Sequence, residues 1–320
     1  MINMLQIQIP KITHKSYPKQ TTDMREFSWE DVVVPSLPAN HGFQFGRIID
    51  EGVTSVLYEA THEFFGVCAI KAFKLELSYI AKDELSFLKR IQQIPQGVKV
   101  YDAWEYRSKW YIAMEKMDGT LSQLMDKGMC CADILDATRQ IATALHHLHQ
   151  KGIVHFDIKP KNIGFIHISG GRKIYKILDY GLAECKHIAY SNSFQCDIAN
   201  GCFEKTAKWY RSYELLLLSD EPITEKADVW SFGCVVFEMI SGTPLFSKLS
   251  ETEDKEDYKK IIQCEWKDMI LLQKKVSLQY QQLIQIALDC LNPIVTKRLS
   301  MADVTQRCEK NSKIKNNTLL

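Results

Sequence analysis

After residue 42, the first third of the chain consists of short apolar runs separated by turns. These runs are rich in β-branched and aromatic residues, which favour strands. They predict five strands, at residues 45–49, 56–61, 67–73, 98–104 and 110–114. One segment among them, residues 80–91, carries apolar residues at a spacing close to 3.6 and is therefore predicted to be a helix.

Helical spacing dominates the rest of the chain. Residues 121–125 begin a predicted helix, and an apolar stripe along residues 131–150 predicts a long one. Residues 163–168 and 173–178 predict a β-hairpin that is closed by a Ser-Gly-Gly turn. The stretch 250–260 is so rich in charged residues that we expect an exposed loop there.

Composition excludes several classes of protein. The 320 residues suffice for one large lobe or two coupled lobes, and 46% hydrophobic and 25% charged residues are ordinary for a soluble globular protein. A formal net charge of +1 gives no support for a nucleic-acid partner or an anionic membrane surface. We expect no membrane span and no signal peptide, because no apolar run is long enough and the first ten residues lack a charged-then-apolar layout.

Ten cysteines are scattered without a Cys-x-x-Cys pair. They are therefore interpreted as reduced thiols of a cytoplasmic or nuclear protein. His146, His147 and His149 end the predicted long helix and leave zinc binding as a minor alternative, because no further ligand motif accompanies them.

The densest chemistry lies between residues 153 and 162. Asp157, Lys159 and Asn162 have the roles that phosphoryl transfer needs: a carboxylate to orient the attacking hydroxyl, an ammonium to steady the phosphoryl charge, and an amide oxygen to help hold magnesium. The stretch resembles the catalytic loop of protein kinases, His-Arg-Asp-x-Lys-x-x-Asn. Phe156 stands where that family usually has arginine.

Other motifs of that family follow in its order. The run Val-Cys-Ala-Ile-Lys that ends at Lys71 resembles the strand whose lysine grips the α- and β-phosphates. Glu84 resembles the glutamate that pairs with this lysine, whereas Glu76 lies too near it and Asp83 would face about 100° away on the helix. Residues 179–181, Asp-Tyr-Gly, resemble the Asp-Phe-Gly motif, whose carboxylate chelates magnesium.

The resemblance also implies a nucleotide pocket with a degraded glycine-rich loop. Of the pattern Gly-x-Gly-x-x-Gly-x-Val only one glycine survives, and Asp50 and Ser55 replace the other two. Because glycine lets the main chain approach phosphate closely, we expect weaker nucleotide binding. The residues implied at the nucleotide, including the expected gatekeeper Met114, are Gly52, Leu57, Ala69, Lys71, Glu84, Met114, Glu115 and Met117.

The activation segment is expected from Asp179 to Glu214. Its end resembles the Thr-Arg-Trp-Tyr-Arg-Ser-Pro-Glu-Leu stretch of cyclin-dependent, dual-specificity and SR-protein kinases, but Ala207 replaces the threonine. A lost hydrogen bond there is worth about 0.5–1.5 kcal/mol, which would slow an enzyme without silencing it. Asp228 resembles the anchor of the catalytic loop, and Arg298 resembles the partner of Glu214.

The resemblance runs from about residue 46 to 304 and implies an α+β, bilobal protein kinase fold, with a small mainly antiparallel lobe carrying one regulatory helix and a larger mainly helical lobe. We predict a kinase domain at residues 43–308, divided into a first lobe (43–114), a hinge (115–119) and a second lobe (120–308). Residues 309–320 are a polar tail. Residues 1–42, with four prolines, are an extension that either straps onto the first lobe or is largely disordered.

The implied function is transfer of the γ-phosphoryl group of ATP to protein substrates, with Mg²⁺, or Mn²⁺ in its place. Asp157 and Lys159 would be catalytic, and Asn162 and Asp179 would bind the metal. Lys159, two residues after the aspartate, favours serine/threonine over tyrosine kinases. A regulatory protein partner is compatible with these features.

Two alternatives remain open. A pseudokinase, used as a nucleotide-binding or protein-interaction scaffold, is favoured by the degraded glycine loop, Ala207 and Tyr213. A small-molecule kinase of related fold is disfavoured, because residues 209–214 resemble a peptide-binding platform. Phe156 cannot pair with phosphate, so we expect activity that does not rely on a phosphorylated activation segment.

Overall fold

A five-stranded antiparallel sheet forms the first lobe of the computed structural model, which describes residues 41–186, 208–217, 223–251, 255–273 and 277–317. Its strands, in the spatial order β1-β2-β3-β5-β4, are β1 (Gln44–Glu51), β2 (Ser55–His62), β3 (Gly66–Phe73), β4 (Val100–Tyr106) and β5 (Lys109–Glu115). One helix, α1 (Ile80–Arg90), accompanies the sheet. All but the last two residues of the predicted N-terminal extension lie outside the described residues.

The two faces of this sheet are packed differently. One face contributes to the main core together with α1, whose buried residues include Ala81, Leu85 and Leu88. The other face carries a separate aromatic cluster, in which Trp104 stacks on Phe43 and Tyr111 with ring centroids 5.3 and 5.4 Å apart. Alternating side chains of antiparallel strands explain this division, because successive residues point to opposite faces.

The second lobe is mainly helical. Its helices are α2 (Leu121–Asp126), α3 (Cys131–Gln150), α4 (Tyr213–Leu217), α5 (Lys226–Ser241), α6 (Lys255–Gln273), α7 (Leu278–Cys290) and α8 (Met301–Asn317). Two small sheets complete it: β6 (Gly119–Thr120) with β8 (Ile163–His167) and β9 (Lys173–Ile177), and β7 (Ile153–Val154) with β10 (Glu184–Cys185). The predicted α+β, two-lobed fold is therefore confirmed.

Helix α5 is the buried centre of the second lobe. Its residues from Ala227 to Met239 are all buried, polar and charged ones included. A helix that is apolar on nearly every side has to be enclosed by other elements, and α5 packs against α3 and α7. Because α5 is fixed in this way, a side chain at its start can serve as a rigid support for a neighbouring loop.

Most predicted elements agree with the observed ones, and helix 131–150 agrees at both ends. The loop predicted at 250–260 was wrong, because α6 already begins at Lys255. Four charged residues of this helix are at least partly exposed and pair along it, Lys259 with Glu256 at 2.6 Å and Lys260 with Asp257 at 3.3 Å. Charge there indicated exposure and not the absence of a helix.

The stretch predicted as a polar tail begins within a helix. Helix α8 continues to Asn317, through most of the stretch that was predicted to be a polar tail. Across the described ranges, no helix is both long enough and apolar enough to cross a membrane.

Candidate active site

The catalytic loop is held from below by the carboxylate of Asp228, at the start of α5. This side chain is fully buried and accepts hydrogen bonds from the main-chain N–H groups of His155 and Phe156, each at 2.8 Å. His149 donates a third hydrogen bond from Nε2, at 2.9 Å. Asp228 therefore fixes the main chain immediately before Asp157. The ring of His149 takes part in the same hydrogen-bonded network.

Asp157 lies at the centre of a small polar network. Lys159 donates to both of its carboxylate oxygens, at 3.0 and 2.8 Å. Asn162 donates from Nδ2 to a carboxylate oxygen at 2.7 Å and to the main-chain oxygen of Asp157 at 2.9 Å. The amide nitrogen is thus used within the loop, which leaves the amide oxygen of Asn162 as its available metal ligand.

Lys71 joins the two lobes through two carboxylates. Its Nζ lies 2.7 and 2.8 Å from the carboxylate oxygens of Glu84 and 2.8 Å from Oδ1 of Asp179. Lys71 comes from β3 and Glu84 from α1, whereas Asp179 follows β9 in the second lobe. Lys71 and Asp179 are 108 positions apart in the chain, yet together with Glu84 they form one charged cluster between the lobes.

The charges of this cluster are strongly coupled. Burial opposes the charge of Lys71, but Asp179 and Glu84 outweigh that effect and raise the pKa of Lys71. The Lys71 ammonium lowers the pKa of Asp179 to about 2, although partial desolvation of the carboxylate opposes this shift. Asp179 is therefore a carboxylate at neutral pH, and its side chain is 46% exposed at the cleft. A charged, accessible carboxylate is suited to bind a hard cation.

The oxygen groups present fit magnesium that is shared with a nucleotide. Asp179 and Asn162 supply a carboxylate and an amide oxygen, the ligand types that Mg²⁺ prefers. In the described part of the chain, no group of three or more His, Cys, Asp or Glu side chains could hold a metal ion. Two protein ligands would leave the other positions around an octahedral Mg²⁺ to phosphate and water oxygens.

The main chain at Asp179 is held in an uncommon conformation. Asp179 has φ of 62°, in the left-handed region, and is followed by the almost fully buried Tyr180. The ring of Tyr180 packs edge-on against His155, with centroids 4.9 Å apart, and burial raises the pKa of its hydroxyl. His155 also donates from Nε2 to the main-chain oxygen of Leu178 at 3.0 Å. These contacts tie the segment that carries Asp179 to the catalytic loop.

Most of the residues predicted to contact a nucleotide lie on paired strands of the first lobe. In the sheet, Leu57 lies opposite Lys71, and Met114 lies opposite Ala69. The surviving glycine of the loop, Gly52, closes the turn between β1 and β2 by donating from its N–H to the main-chain oxygen of Ser55 at 2.9 Å.

Glu115 does not direct its side chain as a nucleotide ligand would. Its carboxylate contacts Nζ of Lys176 and accepts from the N–H of Lys99 at 2.6 Å. Lys176 is itself buried and donates to the main-chain oxygen of Gly97 at 3.0 Å. Any contact of Glu115 with a base is thereby left to its main chain. Sequence reasoning missed Lys176; the only signal was a lysine at a buried position of a short apolar strand.

Phe156 fills an apolar site where the resemblance placed arginine. Its side chain is 5% exposed and belongs to a cluster with Val154, Leu215, Ile223 and Ala227, against which Leu182 packs. Its main chain has φ of 63°. The cluster joins the catalytic loop, the segment after Asp179 and the helices α4 and α5 by apolar contact.

The predicted pair of Glu214 and Arg298 is present and fully buried. Two parallel hydrogen bonds of 2.9 Å join the guanidinium to the carboxylate, and both side chains are 0% exposed. Tyr210, nearby, donates its hydroxyl hydrogen to Glu238 at 2.6 Å. The activation-segment residues between 187 and 207, Ala207 among them, lie outside the described residues.

Comparisons with known proteins place most of the chain in one family. The family described as Protein kinase domain matches residues 43–308, which is most of the chain. Cyclin-dependent kinase-like 5 of Mus musculus and of Homo sapiens are each 29% identical to the chain over 228 residues, or 69% of its length. The matched segment covers 23% and 22% of those two proteins, so the chain spans less than a quarter of their length. With its catalytic loop intact apart from Phe156, the chain belongs to the protein kinase family, as a divergent eukaryotic member similar to the cyclin-dependent-like group.

Proposed function

We propose that the protein is a serine/threonine protein kinase that transfers the γ-phosphoryl group of ATP with the help of Mg²⁺. The observation that carries the proposal is the presence of two hydrogen-bonded networks: Asp157 with Lys159 and Asn162, and Lys71 with Glu84 and Asp179. A fold used only as a scaffold has no physical need for all six groups.

Asp157 is placed to act on the acceptor hydroxyl. Hydrogen bonds from Lys159 and Asn162 hold its carboxylate in one orientation, which positions it to receive the proton of a serine or threonine hydroxyl. Lys159, beside that carboxylate, is placed to stabilise the charge of the transferring phosphoryl group. A lysine at this position supports serine and threonine as acceptors.

Lys71 and Asp179 serve the nucleotide. Lys71, oriented by Glu84, would contact the α- and β-phosphates, and Asp179 with Asn162 would hold the metal. Bound magnesium would neutralise phosphate charge. Because Lys71 now lies 2.8 Å from Asp179, nucleotide binding would have Lys71 shared between carboxylates and phosphates.

A phosphate-transfer assay tests this proposal. Purified protein is given labelled ATP, Mg²⁺ and a generic basic protein, beside two variants, Asp157→Asn and Asp179→Asn, that keep size and remove charge. Incorporation into serine or threonine by the wild type, reduced to background in both variants, is expected. Equal background incorporation of labelled phosphate by all three proteins would refute the proposed kinase activity.

The apolar site of Phe156 supports activity that does not rely on phosphorylation of the activation segment. In this structure, apolar packing joins the catalytic loop to α4 and α5, where arginine would need a phosphate partner. Treatment with a phosphatase is therefore expected to leave activity unchanged. Loss of activity that maps to Tyr190, Ser191 or Ser193 would contradict this expectation.

A pseudokinase is the second candidate. It is favoured by the loop in which Gly52 is the one glycine kept, and by Asp50, whose charge would lie near bound phosphate. A thermal shift with ATP and Mg²⁺ in the absence of phosphate transfer would support a nucleotide-binding scaffold, since a ligand of the folded state raises the unfolding temperature.

A further inference from the structure

The guanidinium of Arg90, at the end of α1, contacts the second lobe. Nη2 donates a hydrogen bond to the main-chain oxygen of Lys151, and Nη1 donates to Sγ of Cys185 at 3.2 Å. The same group lies over the ring of Phe87, 5.7 Å from its centroid. Surface arginines commonly keep their charged end in water. Here an exposed arginine is instead fixed by contacts with both lobes.

Both acceptors lie where the two catalytic segments are joined. Lys151 follows α3 and precedes β7, which leads into the loop of Asp157. Cys185 lies in β10, which is hydrogen-bonded to β7 and follows Asp179. Arg90 therefore meets the second lobe six residues from Asp157 and six residues from Asp179 along the chain.

The same helix meets the second lobe at another point, through Glu84. Its buried carboxylate is bound by Lys71 at 2.7 and 2.8 Å and accepts a hydrogen bond from the main-chain N–H of Tyr180. Burial raises the pKa of Glu84 because desolvation disfavours the charged carboxylate, and the Lys71 ammonium opposes this shift. Six residues of α-helix separate Glu84 from Arg90 by about 9 Å along the axis. A helix that is held at two such points cannot swing about either of them.

We propose that Arg90 is a positioning residue of the kinase reaction. By tying the end of α1 to the second lobe, it keeps Glu84 at the position from which it orients Lys71. The proposal rests on the proposed function, since Lys71 serves catalysis only when a nucleotide is bound. Arginine suits this role because its planar group presents separate N–H groups to two acceptors at once, whereas lysine offers a single nitrogen.

Two substitutions separate the guanidinium from the rest of the side chain. Arg90→Met keeps an unbranched apolar stem and removes every donor, whereas Arg90→Lys keeps the charge and one nitrogen. The kcat of Arg90→Met is expected to fall about tenfold, the scale of one lost hydrogen bond to a charged group, because α1 then holds Glu84 in place for only part of the time. Arg90→Lys should recover part of this loss.

Two measurements are made on the purified full chain: phosphate transfer to a generic basic protein, and amide hydrogen exchange without nucleotide. Arg107→Met is the matched control, because Arg107 is also exposed and its guanidinium lies over the ring of Tyr106, 5.2 Å from the centroid. That contact stays within the first lobe, so the control should match the wild type in rate and exchange. Exchange across residues 80–90 should be several-fold faster in Arg90→Met than in the control.

Glu84→Gln tests whether the effect passes through the carboxylate. If Arg90 acts by holding Glu84, Arg90→Met should reduce kcat much less in the Glu84→Gln background than in the wild type. Equal fold-changes in the two backgrounds would overturn the positioning role.

A kcat about tenfold lower, together with faster exchange of α1, supports the proposal. If the wild type transfers phosphate and Arg90→Met matches Arg107→Met in rate or in exchange, the positioning role is overturned while the proposed function stands. If the wild type transfers no phosphate, the proposed function is overturned, and the catalytic role of Arg90 is overturned as well.

Discussion

Replacement of Phe156 by alanine tests whether apolar packing holds the catalytic loop. The ring is 5% exposed among Val154, Leu215, Ile223 and Ala227, so its removal loses transfer free energy and leaves a cavity. Buried Phe→Ala substitutions cost about 3–5 kcal/mol. Because this cluster is small and separate from the main core, we expect the lower end, about 3 kcal/mol.

The main chain at the same position supplies an independent check. With φ of 63°, Phe156 adopts a conformation that costs a non-glycine residue roughly 1–2 kcal/mol. Glycine adopts it without that cost. Phe156→Gly should therefore be at least as stable as Phe156→Ala. If the main-chain strain is fully released, the glycine variant should be about 1 kcal/mol more stable than the alanine variant. In an ordinary buried position the smaller residue would be the worse one.

Urea unfolding of the purified protein measures both differences. Phe64→Ala serves as the matched control, because that ring is 81% exposed and its loss should change the free energy of unfolding by less than about 0.5 kcal/mol. A loss below about 1 kcal/mol in Phe156→Ala, within the range of ordinary substitutions, would refute the packing argument. A glycine variant clearly less stable than the alanine variant would refute the argument from main-chain strain.

Three further predictions concern ionisable side chains. Arg298→Met should destabilise the fold by about 3–5 kcal/mol in urea unfolding, because it leaves Glu214 buried and unpaired, and the double variant with Glu214→Leu should recover most of the loss. Lys176→Ala should lose a similar free energy of unfolding, because it leaves Glu115 without its cation. The double variant Lys176→Ala with Glu115→Ala should be more stable than Lys176→Ala. A double variant in which the two losses of free energy simply add would contradict this. Desolvation, with help from the neighbouring histidines, lowers the pKa of His146 in the folded state, so the folded protein should lose stability as pH falls below the unfolded pKa. His146→Gln lacks this group and should lose less stability than the wild type between about pH 7.5 and pH 5.5. Urea unfolding at both pH values measures the difference.

Local pattern was sufficient for most elements of the fold. Helix 131–150 could be predicted at both ends because its apolar stripe is continuous, and the strands of the first lobe because their residue types favour strands. The stretch 250–260 failed for a local reason as well. Glu256 and Lys260 are exposed on helix α6, so their charge indicated contact with water and not the absence of a helix.

In the candidate site, too, short-range contacts could be predicted from the sequence and long-range contacts could not. The spacing of Asp157, Lys159 and Asn162 is short, so their meeting within one loop could be predicted from the sequence, and the observed hydrogen bonds have that arrangement. Lys71 and Asp179 are joined across more than 100 residues, and only the family resemblance brought them together before the structure did.

By itself, the sequence determined the residue types that phosphoryl transfer requires and their order along the chain. The tertiary structure alone decided what each side chain faces: Glu115 turns to Lys176, Phe156 enters an apolar cluster, and Arg90 contacts Cys185. The physical reason is that these contacts join segments whose separation along the chain gives no periodic signal. These contacts form when the folded domain brings distant segments together. They are then stabilised by close packing and by the free-energy cost of leaving a buried charge unpaired.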